Sequence, residues 1–237
     1  MSIAFTNGDS GGIDFGDLNV FRDRNPFTCC IWIYPTGWGA NNYGRLPCKE
    51  NATGPAGWTW FLANAGGALG VESIAFLRWR ATIDTELRAA DYSITLNEWQ
   101  HVAIRYNSTD PQLFINGVEV SYLVENAGSG AESTDVGANF KTANRTALDR
   151  DFGGSQEDMR LYNRYLSDTE LAAIYIGNGH DGIVDGLVAR WPMNEKALGQ
   201  TISTSPIRNV MHNDDGTTDY ASTPYGEGRI IQRRRLA

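Results

Sequence analysis

The segment LFINGVEV, residues 113–120, constrains the fold more than any other stretch of this chain. Asn116-Gly117 sits between alternating apolar residues, and the pair suits a type I′ turn, whose two central residues both need positive φ. A two-residue hairpin sets Ile115 opposite Val118 and Leu113 opposite Val120. Those four side chains then share one face, while Phe114 and Glu119 take the other. Just upstream, Val102, Ile104 and Tyr106 alternate with His101, Ala103 and Arg105, which predicts a half-buried strand. Ser108-Thr109-Asp110-Pro111 supplies the turn between them.

Similar signals run along the chain. Strand patterns occur at 3–5, 13–15, 28–34, 58–62, 74–79 and 93–96, punctuated by Gly, Asn, Asp and Pro, and 26 glycines supply the turns. Short strands at this spacing predict a two-sheet antiparallel sandwich or jelly roll. Residues 125–146, rich in Gly, Ala, Ser, Thr and Asn, read as a long connection. One helix is signposted in Leu166-Ser167-Asp168-Thr169-Glu170-Leu171. Ser167 can cap it, Glu170 can return a bond to the Ser167 amide, and Leu166 can staple onto Leu171. Leu171, Ile174 and Tyr175 then share a face, and Gly177 can end the helix.

Composition removes several functions. The net charge of −8 argues against a non-specific nucleic-acid binder, which needs surplus Lys and Arg. No apolar run approaches the roughly 20 residues of a membrane span. The start, MSIAFTNGDS, shows no basic region followed by an apolar stretch, so a secretory leader is not expected. Cys29, Cys30 and Cys48 make no disulfide framework, because the number is odd and adjacent strand residues face opposite ways. They read as small apolar side chains, with a Cys48 bridge as the alternative.

In order, "SIAFTNGDSGGIDFG", "PFTCCIWIYP", "NEWQHVAIRYN", "LFINGVEV" and "FGGSQEDMRLYNRYLSDTELAAIY" resemble the laminin-G-like, concanavalin A-like jelly-roll family over about residues 2–176. The resemblance implies an all-β sandwich with one short helix, and a tryptophan at position 99 packed between the sheets. "DGLVARWPMNE" and Asp215-Gly216-Thr217 resemble an element found beside such domains. We therefore divide the chain into a jelly-roll domain, 1–180, and a C-terminal extension, 181–237. Ile183, Val184, Leu187, Val188, Trp191, Met193, Ile230, Ile231 and Leu236 make the extension too apolar for a solvated linker. It is expected to be ordered, packing on the sandwich or on a neighbouring subunit, with Arg229, Arg233, Arg234 and Arg235 contacting an acidic surface. Chains of this layout are similar to phage and other virion structural proteins.

Some relatives are glycoside hydrolases with a Glu-x-Asp-x-x-Glu strand, whose alternate acids face one substrate. That arrangement is absent. Asp84 and Glu86 form an Asp-x-Glu pair without a third acid and read as solvated strand charges. His101, His180 and His212 belong to no Ser-His-Asp pattern, and phosphate loops and Cys/His metal spacings are missing. Calcium is the open cofactor question, since hard cations want several oxygens. Asp149, Asp151 and Asp158, with Glu157, cluster near a glycine turn. The family pattern, however, places an acid at 158 for structural hydrogen bonding. Asp214 and Asp215 read as a turn. Trp58 and Trp60 follow a buried pattern, whereas Trp38 and Tyr43 stand among Gly and Asn on a loop, open to glycan or protein contact.

The leading expectation is a non-enzymatic structural or adhesion protein on a virion surface, without a resident cofactor. It would be a homo-oligomer contacting viral capsid or tail proteins. The alternative is a glycan-binding module using Trp38 and Tyr43, and a glycoside hydrolase ranks last.

Overall fold

The computed structural model describes residues 2–5, 11–51, 56–64 and 70–193, and the backbone alone of 207–208, 221–225 and 228–231. The first strands are β1 (Ser2–Phe5), β2 (Gly12–Asp14), β3 (Phe27–Pro35), β4 (Lys49–Glu50), β5 (Gly57–Ala63) and β6 (Ser73–Arg78). Next come β7 (Thr85–Ala89), β8 (Gln100–Tyr106), β9 (Gln112–Ile115), β10 (Val118–Glu119), β11 (Tyr122–Asn126), β12 (Lys141–Thr142) and β13 (Gly154–Tyr162). The helix α1 (Asp168–Gly177) precedes β14 (Leu187–Trp191), β15 (Ile207–Arg208), β16 (Ala221–Tyr225) and β17 (Gly228–Ile231).

The result is the expected antiparallel sandwich. One sheet runs β10-β9-β8-β3-β13-β1-β17, with β14 also on β13, and the second runs β11-β7-β6-β5-β4. A smaller sheet, β12-β2-β16-β15, adjoins them. Between the two large sheets, Ile31, Ile33, Val102 and Ile104 meet Trp58, Trp60, Phe76 and Leu87 in one fully buried cluster. On the first sheet's other face, Cys30, Ala103, Phe114 and Tyr162 carry α1 through Leu166, Leu171 and Ile174. Adjacent Cys29 and Cys30 thus belong to different layers. All three cysteines are free and buried, and burial pushes their thiols up.

The hairpin forms in the predicted register, with Val118 opposite Ile115 and Glu119 opposite Phe114. Asn116 has φ 53° and Gly117 φ 78°, the positive pair that the turn needs. Leu113, Ile115 and Val120 join the inter-sheet core, while Val118 lies exposed at the sheet edge. A Cβ on Gly117 would also come within 2.9 Å of the Ala172 Cα of α1. Gly117→Val should therefore cost roughly 1–3 kcal/mol from backbone strain, with the helix contact added. A urea midpoint equal to the parent's would exclude that constraint.

α1 begins as its sequence predicts. The Ser167 hydroxyl accepts from the Glu170 amide at 3.3 Å, and the Glu170 carboxylate accepts from the Ser167 amide at 2.9 Å. The end differs by one residue: Gly177 is the last helical position, and Asn178 supplies the left-handed cap at φ 45°. Asparagine tolerates that conformation through its short polar side chain.

Two expectations need correction. Residues 93–96 form no strand: the Gln100 amide donates to the Thr95 carbonyl, closing a turn, and only Ile94 is buried. Trp99 does not pack between the sheets. Alternation places it on the side of His101 rather than Val102, where it lies half-buried, 5.6 Å from Tyr34 between ring centres. The inter-sheet indoles are Trp58, Trp60 and Trp191.

Residues 181–193 are built into the sandwich. β14 pairs with β13 from Trp191 opposite Met159 to Leu187 opposite Tyr162, and Trp191 and Met193 are fully buried. β1 and β14 divide one edge of β13 between them, and Asp158 stands at the junction with φ 51°. Farther on, the backbone of β17 pairs with β1 and that of β16 with β2. The Arg229 side chain and all of Arg233, Arg234 and Arg235 lie outside the described residues.

Candidate functional site

The second sheet has an outer face of its own. Trp58, Trp60 and Leu62 point into the core, so Thr59, Phe61 and Ala63 point away from it. Phe61, Ala63 and Ala75 form a separate apolar cluster there, with Tyr43 and Leu77 packed against it. Tyr43 arrives from the loop GWGANNYG. Its ring meets Phe61 edge-on, with centres 5.8 Å apart.

That loop is clasped from both sides. Its outward edge follows β5: Leu62 donates to the Gly44 carbonyl at 2.9 Å, and Asn64 to that of Asn42 at 3.3 Å. On the other side Ala40 donates to the Asp151 carbonyl at 3.1 Å, and Arg45 to that of Arg150 at 3.0 Å. Gly39 makes the clasp possible. It has φ 75°, and a Cβ there would lie 2.2 Å from the Asp151 carbonyl oxygen. Asn41 and Asn42, at φ 56° and 64°, occupy the left-handed region and leave their amides exposed.

The two loop aromatics are not one platform. Trp38 is half-buried against the inter-sheet core, whereas Tyr43 is half-exposed on the outer face. Above Tyr43 sits a residue that the sequence did not single out: the Arg150 guanidinium lies 4.9 Å from the ring centre. Arg45 stands 5.1 Å over Phe61 and is paired with Glu50 at 3.1 Å. Arg150 reaches Tyr43 only through the loop clasp, so no local pattern announces the contact. Elsewhere, Glu50, Asn51, Gly137, Ala138, Asn139 and Thr146 line a cleft of about 220 Å³. That is smaller than the roughly 300–1,000 Å³ of a typical enclosing ligand pocket, so this cleft offers shallow contacts.

The three candidate cation ligands go to separate structural tasks. Asp149 is exposed and bidentate with Arg145, which holds its carboxyl below the usual range. Asp151 is buried, and its carbonyl holds the loop. Asp158 accepts from Arg190 at 2.6 Å and Arg160 at 2.7 Å. Burial pushes its carboxyl up, but the two guanidiniums outweigh burial and leave it lowered. Among the described residues, no group of three or more His, Cys, Asp or Glu is gathered as a metal ion would require. Of the Asp-x-Glu pair, Asp84 accepts from the Arg80 amide at 2.7 Å, and Glu86 pairs with Arg88.

A family model described as the concanavalin A-like lectin/glucanases superfamily matches residues 7–172. A search of the curated proteins returns no match. Among solved structures, a candidate carbohydrate-binding protein from Bacteroides ovatus superposes with a TM-score of 0.65 at 14% identity. That alignment covers 98% of this chain and 60% of the other, so the chain spans less than two thirds of that protein. The CBM40 module of a Ruminococcus gnavus IT-sialidase, bound to α2,3 sialyllactose, superposes with a TM-score of 0.53 at 18% identity. There the alignment covers 73% of this chain and 96% of the module.

Proposed function

This chain belongs to the concanavalin A-like lectin/glucanase superfamily, and from that premise we propose that it is a non-enzymatic carbohydrate-binding module. The observation that carries the reading is the half-exposed Tyr43 ring, fixed on Phe61 and flanked by the exposed amides of Asn41 and Asn42. A sugar presents an apolar ring face and a rim of hydroxyls. A rigid aromatic ring beside amide donors and acceptors matches both. The two neighbours are described as carbohydrate-binding, which supports the same reading. The alternative expected from sequence therefore moves ahead of the virion-surface reading, which gains no support from the comparisons. The absence of catalysis remains part of the proposal: Asp84 and Glu86 serve the local structure instead of facing each other across a substrate.

Glycan-array binding followed by calorimetry tests the assignment. Tyr43→Ala should weaken binding about tenfold or more, as expected for an aromatic anchor that the ligand covers, with only a small fall in melting temperature from the lost contact with Phe61. Trp38→Ala should do the reverse, lowering the melting temperature because Trp38 packs on the core. Array binding that survives Tyr43→Ala would move the site elsewhere.

A further inference from the structure

Every arginine whose side chain is described, Arg150 excepted, has an acid or a carbonyl oxygen as partner. The Arg150 side chain makes no hydrogen bond or ion pair with any described residue and rests on the Tyr43 ring. Its neighbours are internally neutralised. Arg145 is matched by Asp149, and Arg45 by Glu50. Arg150 is thus the one guanidinium of this corner that no carboxylate pairs with directly, although its charge still acts on the nearby Asp149 carboxylate and the chain as a whole is at −8.

Resting on the carbohydrate-binding reading, we infer that Arg150 recognises a carboxylate, so that the ligand is an acidic glycan containing a uronate or sialate residue. The physical case has three parts. A guanidinium presents a planar fork that matches a carboxylate bidentately. Stacking on Tyr43 limits the orientations of that fork before the ligand arrives, which lowers the ordering cost of binding. The overall negative charge supplies no long-range attraction for an anion. Discrimination must then come from contacts within about 8 Å, the screening length at physiological salt, and in that range Arg150 offers donors that no carboxylate already occupies. The Tyr43 ring would receive the sugar's apolar face, and the Asn41 and Asn42 amides its hydroxyls.

The test uses the full chain on an array carrying uronate- and sialate-bearing glycans beside neutral and sulfated ones. Polygalacturonate oligomers and their methyl esters then provide a matched pair in solution. Carboxylated glycans should be retained, and their neutral counterparts should not. Arg150→Gln should weaken retention about 10–100-fold, the scale of a charged hydrogen bond. Arg150→Lys should restore only part of it. Neither variant should shift the melting temperature, because the side chain holds no structural partner besides the ring. Equal binding of neutral glycans, a preference for sulfated ones, or insensitivity to Arg150→Gln would overturn the inference and leave the lectin reading standing. Binding to no glycan at all would overturn the lectin reading itself.

Discussion

A chain cut after His180 is expected to lose cooperative unfolding rather than yield a smaller, stable sandwich. The cut removes Leu187, Ala189, Trp191 and Met193, of which the last three belong to the inter-sheet core. Trp191 is the largest loss. Its indole lies 4.4 Å from the Phe15 ring and 5.9 Å from that of Phe140, so β2 and the 140s loop lose their packing partner together. Truncating a single buried tryptophan to alanine costs about 3–5 kcal/mol. The whole stability margin of a domain is about 5–15 kcal/mol. The same cut strips part of the edge of β13 of its hydrogen bonds and removes Asp181 and Arg190 from their buried partners. Those losses, added to that of Trp191, reach or exceed the margin. Urea unfolding followed by circular dichroism, on residues 1–180 beside the full chain, checks this. A sharp transition in the short chain would show that 181–193 are dispensable and that the sandwich closes before them.

The features legible in the sequence were those whose chemistry is local. The turn at Asn116-Gly117 needs two positive φ values, and the capping box at Ser167 is complete within four residues. Strand alternation gave Val102, Ile104 and Tyr106 to the core because period two assigns faces without knowledge of the partner. The same rule, applied to Trp99, would have placed it with His101; the family likeness pointed the other way. At 93–96 the pattern was real, but side-chain hydrogen bonds to the backbone compete with strand pairing at that point. Long-range chemistry stayed hidden. Lys49 is fully buried with Asp17 and Asp135, and Arg78 with Glu132, although each reads as a surface charge. Tyr43 was legible as a loop aromatic. Its contact with Arg150 was not, because the two meet only after β5 and the 149–153 segment have clasped the loop.

Arg160→Met should destabilise the protein by about 3–5 kcal/mol, the cost of breaking a buried ion pair by removing one partner. Arg160 is almost completely buried and donates to Asp158 at 2.7 Å and to Asp181 at 2.9 Å. It thereby ties the segment leading into β14 to the junction on β13. Methionine preserves much of the volume but leaves Asp181 buried without a cation and Asp158 with Arg190 alone. The dependence on pH separates charge from packing. In the parent, burial pushes both carboxyls up, and the hydrogen bonds from Arg160 prevail, so both lie below the ordinary value of 3.8. A depressed carboxylate contributes stability that is complete above its unfolded value and is lost as pH falls through its folded value. In the variant, burial acts on Asp181 without its guanidinium, so that carboxyl shifts upward and gains from protonation as the solution is acidified. The difference in stability between parent and variant should therefore be widest near neutral pH and narrow steadily toward pH 4. In the Asp181→Asn background the same Arg160→Met change should cost less, since the orphaned charge is gone. A gap that stays constant across pH, together with additivity in that cycle, would assign the loss to packing and remove the ion pair from what holds β14 in place.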